Sequence, residues 1–270
     1  MRILSIDEAP LCSVAYDNVA PDLHIERCSL DLRCARVDHL PKDLDGVLAA
    51  ADLQGRAPRR TPEELPRLLG ELLADEVAAL GERDEAPPAS RVGVLLAGDM
   101  FARVKRRGGH GDVRPVWRAF AQRYQWVAGV PGNHDLLGES PRVSRIDEFT
   151  REAGIHVLDG TAARLNGLTV AGVAGTIGNP RRPFRRDGDD FLGAVLDALA
   201  HEPDVLVMHD GPDVPDAGLE GIPEVRELIE SAPPMLVIRG HRHWEPPLAT
   251  LDNGTQVLNV HSRAVLLTAH

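Results

Sequence analysis

Residues 126–135 read Trp126-Val127-Ala128-Gly129-Val130-Pro131-Gly132-Asn133-His134-Asp135, an apolar run that breaks off into a glycine, an amide, an imidazole and a carboxylate. A short unbroken apolar run bounded by turn formers fits a strand buried on both faces. Its polar end puts reactive side chains beyond the strand's carboxyl terminus, where ligands bind in open α/β sheets. The same event recurs along the chain. Val47 to Ala51 leads into Asp52-Leu53-Gln54-Gly55, and Val92 to Ala97 into Gly98-Asp99. Val205 to Met208 delivers His209-Asp210-Gly211-Pro212, and Met235 to Arg239 delivers Gly240-His241-Arg242-His243. Such clusters are expected to converge on one place, and carboxylate, amide and imidazole together make a metal site.

Between these strands the periodicity turns helical. Thr61 can cap a helix with Pro62 at its first position and Glu64 closing a capping box, followed by the stripe Leu65, Leu68, Leu69, Leu72, Leu73 and a stop at Gly81. Val113 to Gln122, Asp189 to Ala200 and Pro223 to Ala232 read as further helices, and Leu168 to Ala174 as a strand. The tail around Asp252-Asn253-Gly254 reads as a hairpin with a turn suited to positive φ. From Leu23 to Val37 residues alternate, with Cys28, Leu30, Leu32 and Cys34 on one strand face. The whole is an α/β pattern with antiparallel additions. Residues 46–270 are expected to form the main domain, and residues 1–45 an added strand or hairpin packed on it.

With 30 basic and 41 acidic groups in 270 residues, the net charge of −11 argues against salt-driven binding to nucleic acid or anionic membranes. No run is long and apolar enough to span a membrane. Cys12, Cys28 and Cys34 lack a zinc or redox spacing and read as small core hydrophobes. The expected home is the cytoplasm.

The ordered set of clusters resembles the calcineurin-like metallophosphoesterase superfamily, whose pattern is D-x-H, G-D, G-N-H-D or G-N-H-E, a lone H, and G-H-x-H. The resemblance covers roughly residues 45 to 265. It implies a four-layer α/β/β/α sandwich of two mixed sheets and a centre of two divalent metal ions. Asp52, Gln54 and His243 would hold one metal, Asn133, His209 and His241 the other, and Asp99 would bridge them. His134 would be the acid or phosphate-stabilising group, oriented by Asp135. In that chemistry two cations bind the phosphate's oxygens and a bridging hydroxide attacks phosphorus in line.

Gln54 departs from the pattern, standing where the usual histidine would be. A D-x-Q motif is similar to the manganese-dependent ADP-ribose and CDP-alcohol diphosphatases, and a neutral oxygen ligand shifts preference from zinc toward manganese or magnesium. Manganese is thus the expected metal, with iron, zinc and magnesium as alternatives. The expected substrate is a small-molecule phosphate ester or diphosphate; a nuclease and an inactive metal-binding scaffold are the competing readings. Arg181, Arg182 and Arg185 are candidates for substrate phosphate, with Arg186 beside them, and His261 and Arg263, which follow the last hairpin strand, are candidates to come near the metals and bind substrate. The chain uses 28 arginines and only two lysines, so such clusters partly reflect composition. Lys105 to His110 reads as a flexible surface loop, with a place lining the cleft rim as the alternative.

Overall fold

The computed structural model describes residues 1–59, 61, 66–138 and 146–269. Three strands open the chain, β1 (Ile3–Ile6), β2 (Cys12–Val19) and β3 (Ile25–Val37), followed by β4 (Gly46–Ala51), β5 (Val92–Leu96), β6 (Trp126–Gly129) and β7 (Ile155–Val157). Then come β8 (Thr161–Leu165), β9 (Leu168–Val173), β10 (Val205–Met208), β11 (Leu236–Arg239), β12 (Leu248–Thr250), β13 (Gln256–Asn259) and β14 (Arg263–Ala269). An eight-stranded sheet runs β1-β3-β14-β4-β5-β6-β7, with β2 also paired to β3, and a six-stranded sheet runs β8-β9-β10-β11-β13-β12. Both are mixed. Strands β4 to β7 are parallel to one another, as are β9, β10, β11 and β13; β14 is antiparallel to β4 and parallel to β3, and β1, β2, β8 and β12 add antiparallel edges.

Alternation along the strands explains the layers. Ala49, Ala51, Leu95 and Ala97 of the first sheet pack on Val205, Val207, Ile238 and Leu258 of the second. The intervening Leu48, Ala50, Val94 and Leu96 face α1 (Leu69–Glu82) and α2 (Arg114–Ala121). On the far side Ala171, Val173, Leu206 and Val237 meet α3 (Gly188–Leu199) and α4 (Pro223–Glu230). The result is the four-layer α/β/β/α sandwich of mixed sheets. No helix among the described residues is long and apolar enough to cross a membrane.

Helix α1 begins later than its periodicity predicts. Pro62 to Leu65 lie outside the described residues, but Pro66 and Arg67 are not helical and α1 starts at Leu69. Pro66 has no N–H and disfavours a helical residue before it. Arg56 also bridges Leu68 and donates from its guanidinium to Pro66 O at 2.6 Å, holding this stretch extended. Glu71, rather than Glu64, closes the helix start by accepting from Leu68 N–H at 2.8 Å. At the other end the left-handed residue is Asp84, not Gly81. Its N–H bonds Gly81 O while Glu85 N–H reaches back to Leu80 O, a Schellman closure.

Trp117 of α2 is fully buried, edge-on to Phe149 with ring centroids 6.1 Å apart. Trp117→Ala is expected to cost about 3–5 kcal/mol in urea unfolding. A loss below about 1 kcal/mol would mean that α2 does not seal the outer face of the first sheet as described.

The N-terminal strands reach the functional end of the molecule. Leu32 and Ala50 both pair with Ala264, so residues 25–31 of β3, paired to β2, overhang the carboxyl end of β4. Asp17 and Arg56 exchange both backbone hydrogen bonds, at 2.7 and 2.9 Å, which lays the hairpin along the segment after Asp52.

Candidate metal centre

The two sheets end together. Asp52 follows β4, Asp99 follows β5, Asn133 and His134 follow β6, His209 follows β10, His241 follows β11 and His261 follows β13. Asp52, Asp99 and His241 have φ of +54, +57 and +66°, a left-handed backbone that is costly for side-chain-bearing residues. Hydrogen bonds between the turns hold it. Asp52 N–H donates to Gly98 O and His241 N–H to Asp52 Oδ2, both at 2.8 Å. Gly132 closes on Asp99 so tightly that a Cβ there would come within 2.1 Å of Asp99 Oδ1.

Ligand atoms of Asp99, His209 and His241 all lie within 4.8 Å of one another. His209 is fully buried, and its Nδ1 lies 2.8 Å from Ala97 O. A carbonyl only accepts, so Nδ1 carries the proton and Nε2 faces Asp99 Oδ2 at 3.4 Å. His209 Nε2 and the buried Asn133 Oδ1 have no hydrogen-bond partner among the described residues. An imidazole nitrogen and an amide oxygen left without hydrogen-bond partners beside a carboxylate are a donor set that a divalent cation completes, displacing the Nε2 proton.

The charges agree. Burial alone would lower the pKa of His209, yet Asp99 raises it to about 10. Burial would raise that of Asp99, yet His209 and His134 pull it below its ordinary value. Burial and the positive charge of His209 push His241 down. The site therefore attracts positive charge around Asp99. Gln54 Nε2 donates to Asp99 Oδ2 at 2.9 Å, and His134 N–H donates to Oδ1 at 2.8 Å.

Asp135 differs from its expected task. Its buried carboxylate accepts from the N–H groups of Asp99, Met100 and Gly132 at 2.8–2.9 Å, knitting two of the turns together. The His134 ring is held instead by Gly109 O, 2.8 Å from Nδ1. His110, read from sequence as part of a surface loop, stacks on His134 with centroids 5.5 Å apart. Arg185 lies close enough to His110 to lower its pKa, after burial and His134. No spacing in the sequence pairs His110 with His134.

The remaining candidates divide. His261 Nδ1 is 3.2 Å from Asp52 Oδ2, whereas His243 is half-exposed with its ring 5.8 Å from that of His261. Arg263 donates to Trp244 O at 2.6 Å and Glu245 O at 3.2 Å, bracing the loop that carries His243. Arg181 and Arg182 are exposed on the turn after Asn179, and Arg186 is paired with Asp159 at 2.6 Å. The buried Arg239 donates to Gly240 O at 3.0 Å and stacks 4.9 Å from the centre of Trp244, fixing the turn before His241. A cavity of about 230 Å³ leads outward from Asp52, Gln54, His134 and His261. Its walls include Tyr16 and Asn18 of the hairpin, which no motif points to.

The family model for calcineurin-like phosphoesterases matches residues 46–245. One solved structure, 16% identical, aligns over 83% of this chain and 95% of its own with a TM-score of 0.54, a likeness of fold. Phosphopantetheinyl hydrolase from Mycobacterium tuberculosis is 14% identical over 81% of this chain and 89% of its own, with a TM-score of 0.47. Sulfate thiohydrolase from Thermus thermophilus, in complex with glycerol, is 16% identical over 83% of this chain and 53% of its own, with a TM-score of 0.44. Comparison with curated proteins gives no match. The matched span takes in every strand-end cluster from Asp52 to His243 and leaves the N-terminal hairpin outside. The chain therefore belongs to the calcineurin-like phosphoesterase family and is a metal-dependent phosphoester hydrolase.

Proposed function

We propose that this protein hydrolyses a phosphodiester, phosphomonoester or diphosphate bond of a small molecule at a centre of two divalent cations, manganese foremost. The orphaned Nε2 of His209 and Oδ1 of Asn133 beside Asp99 and His241 carry this reading. Asp52, Gln54 and His243 would hold one ion and Asn133, His209 and His241 the other, with Asp99 between them. When bound, such a pair supplies Lewis-acid stabilisation of the phosphoryl oxygens and activates water as nucleophile.

The chain's own groups do the rest. Gly109 O accepts a hydrogen bond from His134 Nδ1–H, so in the imidazolium the other ring nitrogen is the one that can give a proton to the leaving oxygen as its bond to phosphorus breaks. Asp135 fixes the backbone at Asp99 and Gly132. Gln54 orients Asp99 through Nε2 and keeps Oε1 for the cation. The unpaired Cys12, Cys28 and Cys34 suit a reducing compartment, the cytoplasm. Hydrolysis of bis-p-nitrophenyl phosphate with added manganese tests the reading, since a metal-binding scaffold binds the ion without turnover.

Gln54 gives this centre its character. A carbonyl oxygen ligand binds more weakly than imidazole and favours harder ions. Gln54→His is expected to tighten metal binding and extend activity toward zinc or iron, measured by metal titration and rate. If Gln54→His and Gln54→Ala both leave metal affinity and rate untouched, Gln54 is no ligand.

A further inference from the structure

His261 follows β13 and belongs to none of the five motif clusters, yet the backbone ties it to two of them. Ser262 N–H donates to Ala51 O at 3.1 Å, and His261 itself bridges Ala51, which sets the residue beside the end of β4. Val260 N–H donates to Arg239 O at 2.8 Å. The His261 N–H donates to Asn259 Oδ1 at 3.0 Å, while Asn259 Nδ2 donates to Arg242 O at 2.8 Å. The ring is thus placed both from the Asp52 side and from the turn that carries His241 and His243. Its Nδ1 lies 3.2 Å from Oδ2 of the buried Asp52, the oxygen that also accepts the His241 N–H at 2.8 Å.

The contact between His261 and Asp52 is close without being a hydrogen bond. His261 Nδ1 is buried and has no hydrogen-bond partner among the described residues, although the carboxylate oxygen is within reach, so the direction fails and not the distance. His209 Nε2 and Asp99 Oδ2 stand in the same relation, 3.4 Å apart with the nitrogen unpartnered. Two donors held about 2.1 Å from one cation, at an angle of about 90–110°, are about 3.0–3.4 Å apart. Both pairs have the separation of neighbours on one ion. They lie at the ends of different strands, β4 with β13 and β5 with β10, as a centre of two ions requires.

The side of the centre around Asp52 is otherwise short of nitrogen. Gln54 commits its Nε2 to Asp99 Oδ2 at 2.9 Å and has one neutral oxygen left, and the half-exposed His243 has its Nε2 3.6 Å from Glu245 Oε1. The rings of His243 and His261 meet edge to face, with centroids 5.8 Å apart. Resting on the two-cation reading above, we propose that His261 is a ligand of the first ion, supplying through Nδ1 the imidazole that the Asp-x-Gln motif lacks. Nδ1 binds without a proton and Nε2 keeps the N–H of the neutral ring. The first ion is then held by Asp52, Gln54, His243 and His261, with Asp99 between the two ions.

The full chain, stripped with EDTA, is titrated with manganese in a calorimeter beside His261→Ala. The wild type should bind two ions. In the variant one of the two should weaken by about 100-fold or more, the upper end of what removing a residue behind a ligand costs, and the other should keep its affinity. A second measurement needs no variant. In the wild type loaded with cadmium-113, scalar coupling of the metal to the His261 ring protons reports the bond at Nδ1 directly. Two ions bound with wild-type affinity in His261→Ala overturn the assignment, and a raised KM alone would make His261 a substrate contact. Cadmium coupling to the rings of His209 and His241 but not of His261 overturns it as well. A chain that binds no divalent ion overturns the two-cation reading itself, and the His261 ligand with it.

Discussion

Asp99→Asn is expected to abolish nearly all hydrolysis, by at least ~10³-fold, and to lower the metal content of the purified protein. Residues that only support a metal ligand from behind cost about 10–100-fold when removed, and Asp99 stands in front of them. Its carboxylate receives the Gln54 amide and the His134 N–H, lies 3.4 Å from His209 Nε2, and supplies the negative charge that raises the pKa of His209. Asparagine keeps the shape and one acceptor for the His134 N–H but loses the charge, so the turn should survive while the centre fails. Elemental analysis and the rate on bis-p-nitrophenyl phosphate decide the matter. Wild-type metal content and rate in Asp99→Asn would remove Asp99 from the centre.

His134→Ala should separate binding from chemistry. Its ring is held by Gly109 O and stacked on His110, outside the cluster of Asp99, His209 and His241. The variant should keep its metal and lose about 10²–10⁴-fold in rate, the range for a general acid. The loss should shrink on substrates whose leaving group needs no proton, such as p-nitrophenolate. Metal loss in His134→Ala would contradict the role.

The legible part of this fold lay where local chemistry is strong. Apolar runs ending in Gly98-Asp99, Gly132-Asn133-His134 and Gly240-His241 are strands β5, β6 and β11 whose ends converge, because buried parallel strands must be apolar on both faces and reach polarity only at their tips. What stayed hidden depends on contacts between distant residues. Pairing Leu32 with Ala264, which carries the N-terminal hairpin over the site, joins opposite ends of the chain and leaves no local trace. The start of α1 follows Pro66 and the Arg56 bridge rather than the leucine stripe, so a tertiary contact overrode a helical period. The Asp135 carboxylate on three backbone N–H groups is a product of loop geometry that spacing does not encode.

Hydrolysis that runs on cations held around Asp99 must stop when they are removed. The most direct measurement strips the protein with EDTA, then adds manganese stepwise while bound ions per chain and turnover of bis-p-nitrophenyl phosphate are followed together. The stripped protein should show no turnover, bind two ions per chain, and gain activity as occupancy rises. Turnover undiminished by EDTA, or manganese binding that Asp99→Asn leaves unchanged, would contradict it.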